Sequence, residues 1–172
     1  YRLYSFAGNR NYYPERIFVM VIVKLIAILL SGGFIALLSE KFSEKAPRIT
    51  ALLAILVALA FLIYQLRHSD HISVVTQSNL SDPTSWLVYL KLAWIPAFGI
   101  SIEFALDGLS LLMIALTLIL GAVAVSASWT DIKKHQGFFE ANVLWTLAGV
   151  IGVFTALDLF LFFLFLFLPL FF

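Results

Sequence analysis

The fold class this sequence predicts is an all-α integral membrane protein: four full transmembrane helices plus a short apolar C-terminal helix, with a surface loop between the second and third. Three observations carry it. Hydrophobic residues fill 62% of the 172 positions and charged residues 12%, against about 45–50% and about 25% in soluble domains. The mean hydropathy is +1.01. The apolar residues form long unbroken runs with no strand-like alternation, so a membrane β-barrel is not the reading. A soluble chain of this length would fold around one buried core. Here there is too little polar surface to cover such a core, and lipid is the natural solvent.

The first apolar run is Ile17–Leu38 and the second Ile49–Leu66. The third, Leu109–Trp129, contains no charge, and the fourth is Gly137–Leu157. Each approaches or exceeds the roughly 20 residues that cross a hydrocarbon layer about 30 Å thick. The fifth, Leu159–Phe172, reaches only about 21 Å at about 1.5 Å per residue and is too short to cross comfortably. Helices are expected because lipid offers the backbone no hydrogen-bond partner. The first run is too long for a signal peptide and has no small-residue cleavage site.

The division that follows is a polar segment 1–16, the first two spans in 17–66, an extramembrane or interfacial connection 67–108, and the remaining helices in 109–172. Within the connection, residues 98–106 alternate partly in strand fashion, which predicts a short extended or hairpin piece on the membrane surface. Trp86, Tyr89 and Trp94 suit the interface, where aromatic rings collect. The loop Ser39–Arg48 carries Lys41, Lys45 and Arg48, and the third-to-fourth loop carries Lys133 and Lys134. Against these stand Arg2, Arg10, Arg16, Arg67 and Lys91, spread over longer segments. The density of charge in the short loops places them in the cytoplasm and the N-terminus outside.

Several chemistries are excluded. There is no cysteine, hence no disulfide, thiolate metal site or thiol nucleophile. His68 and His71 lie in a Ser/Asp-rich stretch and read as solvated. A net charge of +1 gives no reason to expect nucleic acid. No glycine elbow presents a serine, and the acids are scattered among loops, so hydrolytic catalysis has no support. Lys24 interrupts the first span. Its simpler reading is a snorkelling lysine. The sharper one is an ion-pathway lysine, but no acidic partner lies near it in sequence.

From Trp94 onward the sequence resembles a known family. The matching pieces are Trp94-Ile95-Pro96, Phe98-Gly99-Ile100-Ser101 and Asp107-Gly108-Leu109-Ser110-Leu111-Leu112-Met113. They continue with Ser128-Trp129, Gln136-Gly137-Phe138-Phe139, Gly149-Val150-Ile151-Gly152-Val153-Phe154 and Asp158-Leu159-Phe160-Leu161-Phe162-Phe163. In order and spacing this series resembles the antiporter-like subunit M of bacterial NADH:quinone oxidoreductase (respiratory complex I), whose mitochondrial counterpart is subunit 4. Residues 17–66 fit the family's first two spans loosely, and residues 1–16 do not carry the resemblance.

The resemblance implies a membrane-arm subunit that moves protons while quinone is reduced elsewhere in the complex. It also implies a bacterial inner-membrane location, the bilayer and other membrane-arm subunits as partners, and no cofactor bound by this chain. The absence of a glycine-rich phosphate loop and of cysteine agrees. The family places a glutamate in a Trp-Glu pair in its fifth span and lysines in later spans. This chain instead reads Leu-Phe-Leu-Phe-Leu-Pro-Leu-Phe-Phe after Phe163 and contains no later span. With no initiator Met, it is expected to be an N-terminal portion or processed chain without a complete proton path. A structural or non-functional membrane remnant and a sodium/proton antiporter subunit are the alternatives.

The remaining proton-path candidates are Asp107, Asp131 and Glu140, besides Lys24. Asp107 stands at the mouth of the third span, as an acidic entry group or an N-cap. Asp131 lies where family members carry acidic residues, in what otherwise reads as a solvated turn. Glu140 lies one turn into the fourth span, where a carboxylate is either hydrated near the interface, the favoured reading, or facing a partner helix. Asp158 is expected to cap the fifth helix. Asn142, Thr146 and Thr155 could bond between helices, each bond adding about 0.6–2 kcal/mol.

Overall fold

The computed structural model of the protein describes residues 14–43, 45–68, 88–95, 100–129, 132 and 135–171. Its elements in chain order are helices α1 (Pro14–Ser39) and α2 (Ala46–His68), strands β1 (Val88–Ile95) and β2 (Ile100–Leu106), and helices α3 (Gly108–Ala127), α4 (Gln136–Thr155) and α5 (Leu159–Phe167). A 3₁₀ turn, Leu168–Phe171, follows α5. Among the described residues, four helices, Val21–Ser39 within α1 and the whole of α2, α3 and α4, are long and apolar enough to cross a membrane.

Helix ends follow local chemistry. Pro14 opens α1 and Pro47 lies in the first turn of α2, where the missing N–H removes no intrahelical bond. Arg67 and His68 close α2, next to its negative dipole end. Asp107 caps α3 through a 2.6 Å bond from Ser110 N–H, and Asp158 caps α5 through a 2.7 Å bond from Phe160 N–H. The caps satisfy backbone donors that a helix start leaves open.

The buried stripes have the spacing of helix packing. On α2 they fall at Ala51, Ile55, Ala58 and Leu62, and on α3 at Ile114, Leu118, Gly121 and Val125. Alternating steps of three and four form one narrow seam per helix. α4 differs: 56% of its span is buried, against 22% for α3. It is the central helix, packed by α1, α2, α3 and α5. Small residues let the helices approach. A Cβ on Gly32 would meet Ala54 Cβ of α2 at 2.5 Å, and one on Gly33 would meet Trp145 Nε1 of α4 at 2.5 Å.

The connection between α2 and α3 contains an antiparallel hairpin, with Lys91 opposite Glu103 and a register shift between Ala93 and Ile95. Its second strand is built into the helix ends. Phe104, Ala105 and Leu106 are buried, Phe104 bridges to Ala156, and Leu157 N–H donates to Glu103 O at 2.9 Å. Phe104 joins Leu161 and Phe165 in a small apolar cluster. The side chains of Tyr89 and Trp94, and all of Trp86, lie outside the described residues.

The fifth segment departs from the expected single helix Leu159–Phe172. Regular helix ends at Phe167. Pro169 has no N–H to donate and its ring clashes with the carbonyl four residues back, so the chain tightens into the 3₁₀ turn. α5 packs on α4 where that helix is smallest. A Cβ on Gly149 would meet Phe165 O at 2.9 Å and Pro169 Cδ at 3.2 Å.

Candidate functional site

At one end of the bundle the C-termini of α1 and α3 meet the N-termini of α2 and α4. A buried polar cluster occupies this end. Arg48 enters from the first turn of α2 directly after Pro47 and is 8% exposed. Gln136 and Glu140 enter from the first turns of α4, four residues apart and therefore on one face. They are 8% and 1% exposed. Ser128 and Trp129 come from the end of α3.

Glu140 Oε1 accepts a 3.4 Å bond from Ser128 Oγ. Arg48 donates from Nη2 to the Ile132 carbonyl. Its guanidinium carbon lies 5.8 Å from the centroid of the Trp129 ring, a cation–π arrangement, and within electrostatic reach of the Glu140 carboxylate. Arg48 Nε, Gln136 Oε1 and Glu140 Oε2 are buried without a hydrogen-bond partner. A buried polar group left unmatched costs about 1–3 kcal/mol. An isolated buried charge costs far more, so opposite charges in one pocket offset part of each other's desolvation.

Two backbone features shape the approach. His135, just before α4, adopts the left-handed conformation (φ 53°), which is costly for a non-glycine residue. Gly137 lets α4 start directly against α1: a Cβ there would meet Glu40 Oε2 at 2.8 Å and Ala36 O at 2.9 Å. The Glu40 carboxylate therefore stands beside the N-terminus of α4, where negative charge is favoured.

The sequence candidates are not brought together. Of the two readings for Glu140, the favoured hydrated-interface position is not found; the side chain is buried in the bundle, because α4 turns that face toward its neighbours. Arg48, counted among loop charges, is part of α2 and buried, so the orientation signal of the short loops rests on their lysines. Asp107 lies at the opposite end of α3 and is engaged as a cap. Lys24 is exposed on the outer face of α1, with Nζ 6.0 Å from the Phe61 ring centroid. Asp131 lies outside the described residues. Thr155 and Asn142 bond carbonyls of their own helix, Thr155 to Ile151 and Gly152 and Asn142 to Phe138. Thr146 lines a groove of about 480 Å³ between α3 and α4 together with Thr117 and Asn142. His68 stacks on Tyr64 at 4.2 Å and its Nδ1 is 3.2 Å from Tyr64 O; His71 lies outside the described residues. Among the described residues no group of His, Asp and Glu is placed to hold a metal ion.

Chemically, the cluster offers one carboxylate, contacted on one oxygen by the Ser128 hydroxyl and free on the other, in the same buried end as the Arg48 guanidinium. Such a group can exchange a proton when its neighbours change.

No protein-family model matches the chain. Similar proteins do. Over 146 residues, 85% of this chain, it is 46% identical to NADH-quinone oxidoreductase subunit M of Escherichia coli (strain K12). It is homologous to part of NADH-quinone oxidoreductase subunit M. The subunit M of Pseudomonas aeruginosa is 43% identical over the same length. The NAD(P)H-quinone oxidoreductase chain 4 of Gloeobacter violaceus is 37% identical over 90 residues, 52% of this chain. The chain spans about 28% of the length of the subunit M proteins it matches.

Proposed function

We propose that this chain is the matching portion of a proton-translocating membrane-arm subunit of NADH:quinone oxidoreductase. The observation that carries this reading is the 46% identity to subunit M over 85% of the chain. The structure supports it physically. Among the described residues, the buried ionisable side chains are Arg48 and Glu140, and they share one end of the bundle. α5, by contrast, is built only of leucine and phenylalanine and carries no proton. Glu140 is the proton-carrying group of this reading and Arg48 its counter-charge.

In this reading the partners are the bilayer and other membrane-arm subunits, and NADH, flavin and iron–sulfur clusters are held elsewhere. The location is the bacterial inner membrane. The lysine-bearing loops face the cytoplasm, which puts the start of α1 outside.

A graft tests it. Residues of this chain replace the matching stretch of E. coli subunit M, and inverted membrane vesicles are assayed for assembly, NADH oxidation and NADH-driven proton uptake. The grafted complex is expected to assemble and pump. An assembled complex that oxidises NADH but pumps no better than one lacking subunit M contradicts the proposal.

A further inference from the structure

We propose that the loop end of the bundle holds an internal water site walled by Glu140, Arg48 and Gln136, through which Glu140 exchanges a proton with the aqueous phase on that side. This rests on the proton-carrying role given to Glu140 above, and names its ligand and its route.

The observation is a coincidence of three atoms. Arg48 Nε is a donor; Gln136 Oε1 and Glu140 Oε2 are acceptors; all three are buried without a partner. Native proteins leave few such groups, and here they come from two helices meeting at one end. Water both donates and accepts, and a buried water characteristically makes about three hydrogen bonds to otherwise unsatisfied polar groups. One or a few waters can satisfy all three together, since the single Nε–H of Arg48 cannot serve both acceptors and its Nη2 is already engaged by Ile132 O.

The site lies within reach of the aqueous phase. Gln136 opens α4, Arg48 lies in the first turn of α2, and the adjoining Lys41, Phe42, Ser43 and His135 are exposed. Ala141 and Leu144, next along α4, and Leu118 on α3 are apolar and buried. The charged and titratable groups of this end, among the described residues, are Arg48 on α2, Glu40, Lys41 and Lys45 between α1 and α2, and His135 before α4. α3 contributes the uncharged Ser128 and Trp129. The exchange is balanced: a hydronium gives its proton to the Glu140 carboxylate, leaving water and the carboxylic acid, and the reverse step returns it. Arg48, held on Ile132 O, orients the water rather than relaying the proton.

Solid-state NMR on the protein in lipid bilayers, with carboxyl-¹³C glutamate, tests both parts. The chain has five glutamates, and loss of one signal in Glu140→Gln assigns Glu140. Magnetisation transfer from water is expected to reach the Glu140 carboxyl several-fold faster than the methyls of buried Leu118, and to slow in Gln136→Leu. The Glu140 shift is also expected to move as the bulk pH is titrated. Transfer as slow as to Leu118, transfer unchanged in Gln136→Leu, or a shift that stays fixed with pH overturns the proposal. A hydrated, titrating Glu140 in a graft that fails to pump sinks the transport reading alone.

Discussion

Truncating either Arg48 or Glu140 leaves the other charge buried without its counter-charge, so the two substitutions are not independent. A cycle of Arg48→Ala, Glu140→Ala and the double variant, followed by reversible unfolding in mixed micelles, is expected to give a coupling of about 0.5–3 kcal/mol, the range for groups in one network. Additivity within about 0.3 kcal/mol would remove the electrostatic link. Asp107 gives the contrasting case. Its carboxylate accepts one backbone N–H at 2.6 Å, so Asp107→Ala is expected to cost about 1 kcal/mol and Asp107→Asn a few tenths at most. A larger loss of stability or transport in the Asn variant would give Asp107 more than a capping role. The caps at Asp107 and Asp158 were legible because capping is local: an Asp directly before an apolar run suffices. The pocket was not, since Arg48 and Glu140 are separated by a long stretch of chain and only packing shows that they share a face of the bundle. Helpful signals existed in Pro47, which draws Arg48 into a helix, and in the four-residue spacing of Gln136 and Glu140.

At the level of elements, α4 organises the molecule through its neighbours' small residues. Gly33 on α1 touches the Trp145 indole, which donates from Nε1 to Leu30 O at 3.3 Å. Gly33→Ala is expected to push the indole off that carbonyl, costing about 1–3 kcal/mol as overpacking does and shifting the Trp145 fluorescence. Gly108→Ala is the control, since a Cβ there meets nothing within 4 Å; it should stay within about 0.5 kcal/mol. Equal effects at the two positions would argue against close α1–α4 packing. The four spans were readable from run length alone, because lipid forces apolar helices. Two elements were only half readable. Alternation suggested the hairpin at residues 98–106, yet its docking on Ala156 and Leu157 depends on distant contacts. The fifth segment looked like one run until Pro169 divided it.

For the whole molecule, four spans put the α1–α2 loop and the α3–α4 loop on one side and the α2–α3 connection on the other. The chain has no cysteine, so single variants report cleanly. With an impermeant thiol reagent, Ser43→Cys is expected to react from the cytoplasmic side and Ser78→Cys from the opposite side; labelling of both from one side would refute the topology. Composition alone made the membrane class readable and the motif series made the family readable, whereas proposing Glu140 as the proton-carrying group needed the buried pocket. The most direct test is the ratio of protons moved to NADH oxidised in vesicles bearing the grafted subunit, compared between the parent graft and its Glu140→Gln variant at equal assembly. A carrier role for Glu140 predicts that the ratio falls in the variant while the complex remains intact. An unchanged ratio would show that Glu140 carries no proton and that the buried cluster is structural.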